Sequence, residues 1–462
     1  MTPPLPNIKH VILLMFENRS FDNVLGEVFA YMSTPDGGGV PAKWSNPSSS
    51  SQQVLAWQAN PGSAAQNIPF PDPQESFNHM SAQINTDPPM QGFVTDYATV
   101  KNANPADIMQ FFAVENVPVT QVLATTYAVS DQYFASGPVQ TWPNRLFSLC
   151  GTPGYNKTTK TAYLNNEDYP DHDLLIGQLD MLSIFEQMDN AKQSWKVYYD
   201  DEVPIAAIIK YVDKHWDHIL DGGNVWPFES HPDIYHGTFF DDVKNSKLPT
   251  FSLIEPRYQM LGALPLITAP NSNHPGDSLA FGSSGIPINL SCGEQLLAKV
   301  FAALAANPTL FAETLLVVTY DEHGGLFDHV TPPSAVSPFP PGTVTGFDYS
   351  VYGVRVPALF INPYVTPGVF RPPSGGPPFD HTSLLTTLKY QFNLSGSLSP
   401  RVDSPSAPTF GGLIKPNAPA IQAPNIPIPA CNWDKSTLRL GHAHPVVRTA
   451  LYHAARRKVQ PR

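Results

Sequence analysis

Hydrophobic and polar positions fall in alternating blocks along most of the chain. The first block, Val11-Ile12-Leu13-Leu14-Met15-Phe16, is continuously apolar, the pattern of a strand buried on both faces of a parallel sheet. Glu17, Asn18, Arg19 and Ser20 follow at once, and Phe21 to Phe29 reads as a helix with Ser20 as its N-cap. Comparable runs predict strands at Ser194 to Tyr199, Thr250 to Glu255, Leu315 to Tyr320 and Val356 to Ile361, with a short one at Tyr127 to Ser130. Helical spacing marks Asp72 to Ile84, Leu174 to Asn190, Ile205 to Leu220, Cys292 to Ala306 and a helix opened by Asp380 that runs to Phe392. Strands alternating with helices predict an α/β fold with a mostly parallel sheet, whose ligands bind beyond the carboxyl ends of the strands. The segment Met32 to Pro71 lacks apolar periodicity and reads as a loop excursion. Ser395 to Pro429, rich in Pro, Ser and Ala, reads as a wrapped tail, and Pro445 to Lys458 as a short helix with a basic end.

Composition narrows the class. The 462 residues carry a formal net charge of -12, which argues against a nucleic-acid binder and against docking on anionic lipid by charge alone. Fifty prolines and thirty glycines imply long ordered loops. The three cysteines, Cys150, Cys292 and Cys431, lack metal-knuckle spacing; they suit a reducing compartment, or an exported protein with at most one bridge. No stretch has the length of a membrane span, and no basic and apolar leader precedes the first strand. Localisation stays open between the cytoplasm and export by a route or leader not visible here.

Candidate chemistry gathers at strand ends. Glu17 and Asn18 leave the first strand, and Asp321-Glu322-His323 leave the strand Leu315 to Tyr320, where Gly324-Gly325 breaks the alternation that would point neighbouring side chains apart. Two such corners on one sheet edge make an oxygen-rich site for a hard divalent cation. Thr141 stands at a helix amino terminus, where backbone NH groups favour an anion; a nucleophile and a helix cap both fit that position. Glu75, His79 and Gln83 share one helix face. A lone helical histidine such as His79 also suits a surface or satisfied core position. His274 lies in the irregular loop NSNHPGD, and His215 and His218 beside Asp213 and Asp217 read as a solvated helix face.

The motifs ENRSFD at Glu17 to Asp22, TWPNRLF at Thr141 to Phe147, IEPRY at Ile254 to Tyr258, HP at His274-Pro275, TYDEHGGLFDHV at Thr319 to Val330, GVRVP at Gly353 to Pro357 and DHTS at Asp380 to Ser383 stand in one order. In that order the chain resembles the phosphoesterase family of non-specific phospholipases C and respiratory-burst-inhibiting acid phosphatases, from Ile8 to Gly412. DPQESFNHMSAQ and MQGFVTDY place it nearer the phospholipase C branch. The resemblance implies an alkaline-phosphatase-like three-layer α/β/α sandwich over residues 1–412, with 413–462 as tail. It implies one divalent metal, with Ca, Mg, Mn and Zn all compatible, held by Glu17, Asn18, Asp321 and Glu322. Thr141 would become transiently phosphorylated, Asn144 would bind substrate, and His79 and His274 would divide proton transfer and phosphate binding.

The function so implied is hydrolysis of a glycerophospholipid such as phosphatidylcholine to diacylglycerol and a phosphorylated headgroup. A broad acid phosphatase acting on small soluble esters is the alternative, and a non-catalytic scaffold a weaker one. A glycosidase using Asp321 and Glu322 is weaker still, because adjacent residues do not straddle a bond. The expected partners are the phospholipid or phosphate-ester substrate and at most a peripheral membrane contact; the oligomeric state is left open.

Overall fold

The computed structural model describes residues 4–30, 44–50, 52–62, 65–170, 177–201, 204–220, 239–258, 269–276 and 287–433. The expected short helix at Pro445 to Lys458 lies outside them, as do residues 32–43, 51, 63 and 64 of the polar excursion and residues 174–176. An eight-stranded sheet forms the centre. Its strands in chain order are β1 (His10–Phe16), β2 (Ala128–Val129), β3 (Trp195–Tyr199), β4 (Ile219–Leu220), β5 (Phe251–Glu255), β6 (Thr314–Tyr320), β7 (Ala358–Ile361) and β8 (Gly368–Val369). Across the sheet they run β4-β3-β5-β1-β6-β7-β2-β8. All neighbours are parallel except β7, which is antiparallel to both β6 and β2. The architecture is the mostly parallel α/β sandwich that the strand and helix alternation predicted.

Burial explains the centre. Every residue of β6 and all but the first of β1 are buried, because helices cover both faces. On one side Pro118–Thr126, Phe239–Lys244 and Pro308–Ala312 pack on the sixteen-residue helix Leu290–Ala305; on the other, Ile184–Asn190 and His381–Gln391 pack on Thr141–Cys150. The register pairs Met15 with Thr319 and Phe16 with Tyr320. The next residues, Glu17 and Asp321, therefore emerge side by side from adjacent parallel strands, whose axes lie about 4.8 Å apart.

Two expected helices are broken. Of Leu174 to Asn190, only Ile184–Asn190 is α-helical. Leu179 instead forms a bridge with Ile209, so its apolar side chain is buried through strand pairing rather than helical spacing. In Ile205 to Leu220 the Glu255 carboxylate accepts from the NH groups of Ile205 and Ala206 and fixes a 3-10 turn at Ile205–Ile208. A four-residue helix, Lys210–Asp213, a second 3-10 turn, Trp216–His218, and β4 follow. His218 stacks on Trp195 and His215 on Tyr211, so neither histidine simply faces solvent. The helix expected from Asp72 begins only at Phe77, which leaves Glu75 in the preceding loop.

The tail beyond residue 394 has no helix or strand in its described part. It is held by a bridge of Ile414 to Val365, by Gln295 Nε2 donating to the Pro429 carbonyl, and by a disulfide between Cys292 and Cys431. Cys150 is free and buried. No helix among the described residues is long and apolar enough to cross a membrane.

Candidate active site

The site is built where β1 and β6 end. Phe21–Ala30 starts one residue after Ser20, whose Oγ accepts from Asn23 N at 3.2 Å as an N-cap. Between strand and helix the chain turns at Asn18, which has φ +59, a left-handed conformation that asparagine tolerates better than most residues. The turn brings Asn18 N to within 2.9 Å of Asp321 Oδ1, the acceptor of this bond. Gly324, at φ +63, lets the other corner close on it: a Cβ there would lie 2.1 Å from the Asn18 carbonyl oxygen. Only glycine satisfies both the conformation and the approach.

Thr141 is the first residue of the helix Thr141–Cys150, with Gln140 in the cap position. Its hydroxyl donates to Asn18 Oδ1 at 3.3 Å, and the Asn18 amide nitrogen lies 2.9 Å from His274 Nε2. The structure thus joins three predicted residues, Thr141, Asn18 and His274, in one hydrogen-bonded row. Glu322, next in sequence to Asp321, is fully buried; its Oε2 accepts from Gly324 N at 2.6 Å, and its Oε1 has no hydrogen-bond partner. Glu17 is 6% exposed and its backbone NH donates to the Ser272 carbonyl.

Burial of so many acids has an electrostatic result. Burial raises the Glu17 carboxyl to about 7, with His274 and Arg145 opposing the shift and Asp321 adding to it. Burial likewise raises Asp321, against Arg145, and pushes Glu322 well above the usual carboxylate range, with Glu75 and Asp321 adding to the effect. At His274, burial works against the charged form, but the carboxylates of Glu75 and Asp72 override it and hold the imidazole well above its ordinary value.

The side chains of Asn144 and His79 make their hydrogen bonds to other parts of the chain than Thr141, Asn18 and His274. The Asn144 side chain is used inside the preceding turn: Oδ1 accepts from Gly137 N, and Nδ2 donates to the carbonyls of Val139 and Gly137. It shapes the backbone that delivers Thr141. His79 Nδ1 pairs with Asp96 Oδ1 at 2.7 Å, and Asp96 Oδ2 accepts from Gln83 Nε2. Gln83 Oε1 in turn lies 2.8 Å from His323 Nε2. Among these bonds, His79 reaches the acidic corner only through Asp96, Gln83 and His323. Burial lowers His323 to about 3 and leaves it a neutral spacer.

Sequence reasoning missed the groups that stand behind this row. Arg145 Nε donates to Asp321 Oδ2 at 3.0 Å, and its NH2 donates to the carbonyls of Met15 and Phe16. One guanidinium therefore ties the Thr141 helix to the ends of both strands. His381 Nε2 donates to the Asp321 carbonyl at 2.6 Å, and burial lowers this imidazole to about 4. Asp72 and Glu75 approach His274 at 3.6 and 3.7 Å. The sequence signals for these were the presence of Arg145 within TWPNRLF, of His381 within DHTS, and of Asp72 and Glu75 within DPQESFNHMSAQ.

The donor chemistry of the acidic corner suits a metal ion, since Glu322 Oε1 is an orphaned buried acceptor beside two further buried acids. Two groups of three His, Asp or Glu residues bring ligand atoms within 4.8 Å of one another among the described residues: Asp22, Asp328 and His329, and Asp72, Glu75 and His274. Glu17, Asp321 and Glu322 are not drawn together to that degree.

The Phosphoesterase family model matches residues 8–395. The chain belongs to the Phosphoesterase family. It is 32% identical over 443 residues to the non-specific phospholipase C3 of Arabidopsis thaliana, across 90% of this chain and 75% of that protein. It is 27% identical over 449 residues to phospholipase C A of Mycobacterium tuberculosis, across 84% of this chain and 74% of that protein. Among solved structures, a protein in the alkaline phosphatase superfamily from Vibrio parahaemolyticus aligns over 86% of this chain and 72% of its own, at 12% identity and a TM-score of 0.36. As a Phosphoesterase family member, the chain is a phosphoric ester hydrolase.

Proposed function

We propose that this Phosphoesterase family member cleaves glycerophospholipids in the manner of a phospholipase C, with Thr141 as nucleophile. The observation that carries the reading is the Thr141 hydroxyl, on a helix amino terminus and hydrogen-bonded at 3.3 Å to Asn18 beside three buried carboxylates. The names of its relatives in Arabidopsis and Mycobacterium support phospholipid as the ester.

Glu17, Asn18, Asp321 and Glu322 would hold one divalent ion. Bound there, the ion supplies a Lewis acid that polarises a phosphoryl oxygen and lowers the pKa of a nearby hydroxyl. The chain's own groups do the rest. Thr141 Oγ bonds to phosphorus as the bond from phosphorus to the diacylglycerol oxygen breaks, and that oxygen takes up a proton. Water then attacks the phospho-threonine, releasing the phosphorylated headgroup and restoring the hydroxyl. The positive end of the Thr141 helix faces the charge that develops on the phosphoryl oxygens. Asn144 acts by holding the turn before Thr141, His274 presents positive charge beside Asn18, and His79 serves through the Asp96 and Gln83 relay behind Glu322.

Phosphatidylcholine vesicles and an aryl phosphate monoester, each supplied to metal-replete protein, test the reading. Diacylglycerol should appear, and Thr141→Ala should lower its formation by at least about 10³-fold while metal content is unchanged. Absence of diacylglycerol, or monoester turnover far above that of the diester, would replace this reading with a phosphomonoesterase.

A further inference from the structure

We propose a second divalent-cation site, separate from the Glu17, Asn18, Asp321 and Glu322 set, formed by Asp72, Glu75 and His274. Two carboxylates and one imidazole are a ligand set for zinc or a similar first-row ion. One ligand atom from each residue lies within 4.8 Å of the other two. Glu75 gives the independent sign of a missing partner: its side chain is only 10% exposed, its Oε2 lies 3.7 Å from His274 Nε2, and its Oε1 is shut from solvent with no hydrogen-bond partner. A buried carboxylate oxygen left in this way is costly unless something positive meets it.

The imidazole is oriented for the purpose. His274 Nδ1 lies against the Pro275 carbonyl, which can only accept, so Nδ1 keeps its proton and Nε2 is the nitrogen that a cation would take in place of a proton. A carbonyl that fixes the far nitrogen in this way is the usual support of a metal-bound histidine. Gly276 closes the loop on Asp72: at φ +80, a Cβ there would lie 2.5 Å from the Asp72 Cα and Oδ1. Asp72 is 43% exposed on its side chain, which gives the site an open face.

The fixed cation nearby, Arg19, acts on Asp72 and Glu75 only through its field and does not bond to the orphaned Glu75 oxygen. Arg19 spends its hydrogen bonds on the Asn273 and Ile68 carbonyls and on Asn23 Oδ1, all neutral oxygens. The other triad, Asp22, Asp328 and His329, is already neutralised by Arg355, which donates to Asp22 Oδ1 and Asp328 Oδ1 at 3.0 Å each. A cation on His274 Nε2 would take the lone pair that faces the Asn18 amide at 2.9 Å, freeing Asn18 Nδ2 for a phosphoryl oxygen. That consequence for catalysis rests on the proposed function; the binding site does not.

Zinc binding to the full-length, chelator-stripped protein, read by equilibrium dialysis with elemental analysis, tests the site. Wild type should take up two equivalents. Asp72→Asn and Glu75→Gln should each take up one and keep the wild-type melting profile, while Glu322→Gln should lose the other equivalent. A single equivalent lost in Asp72→Asn but kept in Glu322→Gln would support this site and overturn the metal set of the proposed function. Two equivalents in the Asp72→Asn protein, or a wild type that takes up a single equivalent which Asp72→Asn and Glu322→Gln both abolish, would overturn a separate second site. Because Asp72 is partly exposed, its variant folds even where a change at buried Glu75 does not.

Discussion

Replacing Arg145 tests how the active-site corner is held together. Its side chain is 3% exposed and Asp321 is fully buried, so Arg145→Met leaves a carboxylate in the interior without its ion-pair partner. Breaking such a pair from one side costs about 3–5 kcal/mol. The two bonds to the Met15 and Phe16 carbonyls add less, about 0.5–1.5 kcal/mol each at most, because those carbonyls sit in a sheet that pairs β1 with β6. The guanidinium also lies 4.9 Å from the Tyr258 ring centroid, a contact worth about 0.5–1 kcal/mol. Taken together, metal-free Arg145→Met should lose at least about 4 kcal/mol by urea denaturation. Arg145→Lys should recover part of this, since an ammonium keeps the charge but not the fork that reaches Asp321 and two carbonyls at once. A divalent ion at the acidic corner gives Asp321 a second counter-charge, so the loss should shrink when the protein is metal-loaded. A loss below about 1 kcal/mol in the metal-free protein would refute the claim that Arg145 neutralises this corner.

The raised Glu17 carboxyl gives a pH signature. Between pH 4.5 and about 7 the folded protein holds a proton that the unfolded chain has released, so Glu17 lowers stability as pH rises through that window. Metal-free Glu17→Gln should therefore gain on wild type by up to about 3 kcal/mol from pH 4.5 to 7 and then level off; a pH-independent difference would contradict the assignment. Cation affinity at the same corner should rise over this range, as protons cease to compete. Gly324→Ala should lose at least about 1–2 kcal/mol from the left-handed backbone alone. It should also weaken metal binding, because the new methyl displaces the Asn18 carbonyl; a thermal melt and a metal titration at wild-type values would argue against that close approach.

Local pattern by itself determined the frame. An unbroken apolar run such as Val11 to Phe16 needs apolar neighbours on both faces, and β1 has them in β5, β6 and the covering helices. The polar corners at Glu17-Asn18 and Asp321-Glu322 were legible because they interrupt such runs, and Thr141 because a hydroxyl precedes Trp142-Pro143 at a helix start. Periodicity failed at Leu179 and Ile209, whose apolar side chains are buried equally well by a strand bridge. It also could not say that Asn144 would turn inward to brace Gly137 and Val139.

Only the tertiary structure decided which charges meet. Arg145 and Asp321 are 176 residues apart, Asn18 and Asp321 303 apart, and Asn18 and His274 256 apart. Spacing along a helix or strand reports the face on which a residue lies, and carries nothing about a partner that distant. The strand register placed Glu17 beside Asp321, and the glycine turns at Gly324 and Gly276 drew loops onto Asn18 and Asp72. From those placements come the raised carboxyls, the relay that keeps His79 behind the corner, and the acidic group around His274.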